Sequence, residues 1–174
     1  SSQDNNICPQ ILGKKYLYIM TIRNSVERIQ SIYYYAQRSV KSKKPYVLAS
    51  KKYNIDDFIK FLFDTRPQWI CNPYSRCISG AEEFEAARKV IDNKFYLVAP
   101  FEKLSEFSKI LTLNFFGNPR VFPRKEIGKN NPKKNMISDK MTELLISKNQ
   151  TDINLKKHVE VEFDLIYKNF FQQS

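Results

Sequence analysis

The run Arg23-Asn-Ser-Val-Glu-Arg-Ile-Gln-Ser31 carries residue types that could hold a phosphate. A guanidinium offers a planar fork of donors that matches a phosphate bidentately. A helix beginning just after Arg23 would add free N–H groups and the positive end of its dipole. Ser31 falls two turns into that helix and brings a hydroxyl. The same residues also admit a plainer reading, in which Arg23 pairs with Glu27 on the surface and Ser31 faces solvent.

Two elements must position these groups. Residues 16–22 (YLYIMTI) form a short apolar, β-branched run with the composition of a buried strand. That strand delivers Arg23 at its C-terminal end, where α/β folds place ligands. Asn24 or Ser25 is suited to cap the following helix, and Glu27 lies early in its first turn. Val26, Ile29 and Tyr33 follow helical spacing and give it an apolar face.

Further along, residues 41–52 are basic, contain Pro45 and read as a loop. Residues 55–63 read as an amphipathic helix with Asn54 available as cap. Residues 65–80 read as irregular, and 81–92 as a helix rich in Glu and Ala. A second buried strand is expected over 94–99, then a helix over 101–116 stopped by Gly117-Asn-Pro119. Residues 120–134 read as an extended basic loop, and 138–147 and 152–171 as two helices. This order implies an α/β fold with a parallel sheet flanked by helices, in a single domain over 1–174. Two strands are too few for a stable sheet, so either further strands lie unrecognised in this sequence or the remainder lies upstream.

Composition narrows the partners. The 174 residues carry 29 Lys+Arg against 18 Asp+Glu, a formal net charge of +11. Such a surface favours polyanions. No helix-turn-helix, zinc or ribonucleoprotein pattern appears, so nucleic acid is not the expected partner. With one histidine, His158, and no Cys-x-x-Cys pair, no metal site is expected. His158 reads as a surface residue. Cys71 and Cys77 either bridge across Asn72–Arg76 or remain two buried thiols, and Cys8 is left over. Asn149-Gln-Thr151 is a glycosylation sequon. No stretch is long and apolar enough to span a bilayer, and the first ten residues lack the regions of a signal peptide. The chain therefore reads as soluble as encoded or as part of a longer protein.

The run RNSVERIQSIYYY resembles the 3′-phosphate-binding segment of the Golgi carbohydrate sulfotransferases. That segment is a strand, then Arg-Asp-Pro, two residues and Arg, then Ser and an aromatic cluster. Here Asn24 and Ser25 replace the Asp and Pro. Cys71-Asn-Pro-Tyr-Ser-Arg-Cys77 is similar to a cysteine pair of the heparan sulfate 2-O-sulfotransferases, and residues 94–107 resemble that group's next strand and helix. Arg124-Lys125-Glu-Ile-Gly-Lys129 resembles its basic loop over the donor nucleotide. The likeness covers about residues 14–172.

The resemblance implies a partial P-loop-type sulfotransferase fold that lacks its N-terminal part. It implies O-sulfation of a glycan, most like the uronic-acid-containing glycosaminoglycans, with 3′-phosphoadenosine 5′-phosphosulfate as donor. Arg23 and Ser31 would bind the 3′-phosphate, and Arg124, Lys125 and Lys129 would border the nucleotide. It further implies a Cys71–Cys77 disulfide, a glycan at Asn149, and a Golgi lumenal protein held by an anchor outside this chain. Relatives of the 2-O type are trimeric, which leaves room for a homo-oligomer. The lysine loop that grips the 5′-phosphosulfate, and the family's catalytic base, have no counterpart in the sequence. The alternative is a non-catalytic homologue that binds nucleotide or anionic glycan.

Overall fold

The computed structural model describes residues 17–122 and 136–171. It is mixed α/β, mostly helical, around a small parallel sheet. Strands β1 (Tyr18–Ile22) and β2 (Phe95–Pro100) pair in parallel, with Ile19 opposite Leu97 and Ile22 opposite Pro100. The register slips between Tyr18 and Ile19. A parallel pair needs a crossover, and the intervening helices supply it.

Helix α1 (Ser25–Arg38) starts where the cap is strongest. The Asn24 Oδ1 accepts from the backbone N–H groups of Val26 and Glu27. Its inner face buries Ile29, Tyr33 and Ala36. Helix α2 (Pro45–Lys52) corrects the expected loop. Pro45 occupies the first turn, where its missing N–H costs nothing, so the proline starts a helix instead of breaking one. Helix α3 (Ile55–Thr65) begins at Asn54, whose side chain accepts from the Asp57 N–H. Phe58, Ile59 and Leu62 of α3 pack with Ile29 and Tyr33 of α1.

Residues 65–80 are more ordered than expected. A 3₁₀ turn (Pro67–Trp69) leads to helix α4 (Pro73–Ser79), which Gly80 ends at φ 78°. Asn72, just before α4, has φ 43°, the left-handed region that Asn tolerates better than most residues. Helix α5 (Phe84–Lys94) starts three residues later than expected and runs straight into β2.

Beyond β2, a 3₁₀ turn (Phe101–Lys103) leads into helix α6 (Leu104–Phe116). Helix α7 (Asp139–Ser147) is capped by the Ser138 hydroxyl, and its Met141 and Leu145 complete the core of α1 and α3. The long α8 (Gln150–Phe171) ties the remaining layers together. Leu155 and Val159 pack with Ile22, Ala87 and Val98. Phe163 packs with Leu97, Phe107 and Ile110, on the other side chains of β2. Alternation along β2 sends neighbouring residues into two different cores.

Candidate anion site at the strand–helix junction

Arg23 follows the last residue of β1, and its backbone N–H donates to the Tyr74 hydroxyl at 3.1 Å. That bond ties the strand end to α4. The guanidinium lies over the Phe101 ring, 4.8 Å from its centroid, and its Nε sits 3.3 Å from Glu27 Oε2. Arg23 is therefore held at the mouth of α1, and both sequence readings of it meet there: it reaches the helix start and pairs with Glu27.

A cleft of about 160 Å³ opens at this point. Arg23, Asn24 and Ser25 line one side, and Lys156, Lys157 and Glu160 of α8 line the other. Lys156 is only 18% exposed and sits between Glu160 and Glu102, the latter at 3.6 Å. Burial alone would lower its proton affinity. The Glu160 hydrogen bond and the Glu102 charge together outweigh burial and raise it, so Lys156 stays cationic. Lys157 is exposed. The junction thus gathers three cations, with the carboxylates of Asp152 and Glu160 lining the same cleft. The α1 mouth contributes less than its dipole suggests, because Asn24 already takes the Val26 and Glu27 N–H groups.

Sequence reasoning found Arg23 and missed Lys156 and Lys157. They lie 133 and 134 positions along the chain from Arg23. Their only local signal is a helical pattern, and packing of α8 onto the sheet brings them to the cleft. Ser31 does not join them. It is exposed on α1 and does not line the cleft. Arg124, Lys125 and Lys129 lie outside the described residues.

Behind the cleft is a buried polar knot. Asp152 of α8 accepts from the N–H groups of Tyr74 and Ser75, each at 2.9 Å, and from the Ser75 hydroxyl at 2.5 Å. It caps α4 from another element, at the helix end that favours a negative charge. Asn72 accepts from the Asp152 N–H at 3.2 Å, and its own N–H donates to Asn149 Oδ1 at 3.0 Å. Arg28 of α1 donates to the Trp69 carbonyl and lies 5.8 Å from the Tyr74 ring centroid. Its Nε is buried without a partner. Burial holds this guanidinium below its ordinary pKa, and Tyr74 and Asp152 act against that shift. Burial likewise pushes the Tyr74 hydroxyl up.

The knot corrects two expectations. Asn149 is not a surface glycan acceptor. It is fully buried, and its amide donates to the Ile70 and Leu145 carbonyls at 2.7 and 2.8 Å. Cys71 and Cys77 are free thiols. Cys71 packs against the α1–α3 core, where burial raises its pKa, whereas α4 carries Cys77 out to solvent. The helix between them replaces the loop that a bridge required.

His158 is half-buried, with Nε2 3.3 Å from Asp92 Oδ1 and its ring edge-on to Phe84. It lines a different cleft, between α5, β2 and α8.

The chain matches no family model, no curated protein and no solved structure.

Proposed function

We propose that this chain is the nucleotide-binding part of a sulfotransferase-type domain. In this reading Arg23 grips a phosphate of 3′-phosphoadenosine 5′-phosphosulfate, and the domain serves O-sulfation of an anionic glycan. The observation that carries the reading is the cleft at the C-terminal end of β1, where Arg23 meets Lys156 and Lys157 at the start of α1, three cations against the carboxylates of Asp152 and Glu160. A strand end feeding a helix start is where α/β folds hold phosphates. The cleft suits one phosphate group and not a whole nucleotide, so the ribose and base would lie over its rim. Arg23 would exchange Glu27 for the phosphate, which its fork matches in two places. Lys156 and Lys157 would act as point charges opposite it.

A second reading, binding without transfer, has its own support. Sulfuryl transfer needs a base within hydrogen-bond reach of the acceptor hydroxyl. The single histidine is engaged by Asp92 at another cleft. Free thiols at Cys71 and Cys77 also withdraw one argument for an oxidising lumenal compartment. The Golgi assignment and the homo-oligomer then rest on the sequence resemblance alone.

Calorimetry with adenosine 3′,5′-bisphosphate tests the site. Arg23→Ala should weaken binding roughly 10- to 100-fold, the value of a charge-assisted hydrogen-bonded contact. Equal affinity in wild type and variant removes the assignment. Incubation with labelled sulfate donor and desulfated heparan or dermatan chains then separates transfer from binding alone.

A further inference from the structure

From Arg28 to Ile55 the sequence contains no Asp or Glu. The corner joining α1 to α2 therefore concentrates positive charge with no acidic residue of its own. Arg38, Lys41, Lys43, Lys44, Lys51 and Lys52 are all exposed there. These six cations exceed half of the formal net charge of +11.

The corner is also apolar. Val40 is 81% exposed, Tyr35 62% and Leu48 53%. Geometry puts these groups together. Lys44, the residue before α2, and Leu48, Lys51 and Lys52 on it recur at helical spacing and share the outward face. The Lys51 ammonium reaches across the corner to the carbonyls of Ser39 and Val40, at 3.2 and 3.3 Å. The Ser39 hydroxyl donates to the Tyr35 carbonyl, which places Tyr35 and Arg38 on the last turn of α1 beside it. Below the surface, Gln37 donates to the Ser50 carbonyl at 3.2 Å and pins the two helices. The patch is thus presented on a braced scaffold.

We propose that this corner docks on an anionic bilayer surface. Charge complementarity alone would suit any polyanion, but two features select the membrane. Five of the six cations are lysines, point charges that suit a diffuse negative surface better than the planar groups Arg reads bidentately. The exposed aliphatic Val40 and Leu48 have no counterpart on a sulfated sugar or a phosphate backbone. They and Tyr35 suit the boundary between headgroups and acyl chains, where aliphatic side chains insert and tyrosine rings settle. Clusters of four to eight cations on such a surface are what anionic headgroups attract. Among the described residues no helix is long and apolar enough to cross a membrane.

Co-sedimentation with vesicles tests this on the full chain. Wild type should bind phosphatidylcholine vesicles containing phosphatidylserine and not phosphatidylcholine alone. Lys43→Gln with Lys44→Gln should weaken binding roughly 25-fold, from about five-fold per lysine. Val40→Ser with Leu48→Ser should weaken it by about ten-fold or more, while heparin affinity stays unchanged. All four positions are exposed, and circular dichroism confirms that the variants remain folded. Vesicle binding indifferent to the Val40 and Leu48 substitutions assigns the corner to a polyanionic chain and overturns the proposal. Equal binding to neutral vesicles overturns it as well.

Discussion

Asp152 lies between two polar assemblies that use charge differently. Toward α4 it is 2% exposed and takes three donors from Tyr74 and Ser75. Asn72 and Asn149 complete that knot with bonds linking residues about 80 positions apart. Toward solvent, the same residue lines the cleft of Arg23, Lys156 and Lys157. There the pairs are partly exposed, such as Arg23 with Glu27 at 29% and 52% side-chain exposure. Buried polar groups that bond one another are costly to disturb and have little capacity left for a ligand. Partly exposed pairs contribute little stability and exchange partners readily. The knot thus fixes where α4 and α8 sit, and the cleft beside it keeps its cations available.

The most severe way to break this contrast is Asp152→Ala. It removes three hydrogen bonds from the start of α4. A loss of about 2–5 kcal/mol is expected in urea unfolding, because the Tyr74 and Ser75 donors are left buried without their acceptor. If the loss stays below about 1 kcal/mol, the site behaves like a surface pair and the knot is not what orders α4.

Asn24→Ala comes next, because Asn24 belongs to the junction yet acts structurally. Its side chain caps two N–H groups of α1, and losing that cap should cost about 1 kcal/mol. Bisphosphate affinity should hold or improve, since two N–H groups at the start of α1 are then freed from their cap. A stability change near zero, measured in the same urea titration, would show that water replaces the cap without loss.

The contrast also explains which parts the sequence disclosed. The strands at 18–22 and 95–100 and helices α1, α3, α6 and α8 follow local rules: apolar period, a capping Asn, a stopping Gly. Pro45, Pro67 and Pro73 were harder. A proline reads as a breaker, but each of these stands at the start of a helical turn, and for Pro45 and Pro73 the support comes from packing of Val47 and from the bond that the Tyr74 N–H donates to Asp152. Asn149 shows the same limit from the other side. Its sequon is a local pattern, whereas its burial comes from Ile70 and Asn72 closing over it. Within the cleft, Arg23 was legible because strand, guanidinium and helix start are contiguous. Lys156 and Lys157 were not, because only the docking of α8 brings them there.

The finest adjustment is Glu27→Gln. The Glu27 carboxylate is the group a phosphate must displace from Arg23, and it also sits favourably in the first turn of α1. Removing its charge should cost under about 1 kcal/mol of stability, since the pair is exposed and the dipole contribution is small. The same change releases the guanidinium, so bisphosphate affinity should rise roughly two- to five-fold, the worth of the exposed pair that no longer competes. Calorimetry on the folded variant reads this directly, and the sign decides it. Tighter binding means that Glu27 and the phosphate compete for one guanidinium. Weaker binding means that Glu27 orients Arg23 for its ligand and is not displaced. Unchanged binding, with Arg23→Ala also silent, would leave Arg23 as the partner of Glu27 and Phe101 alone.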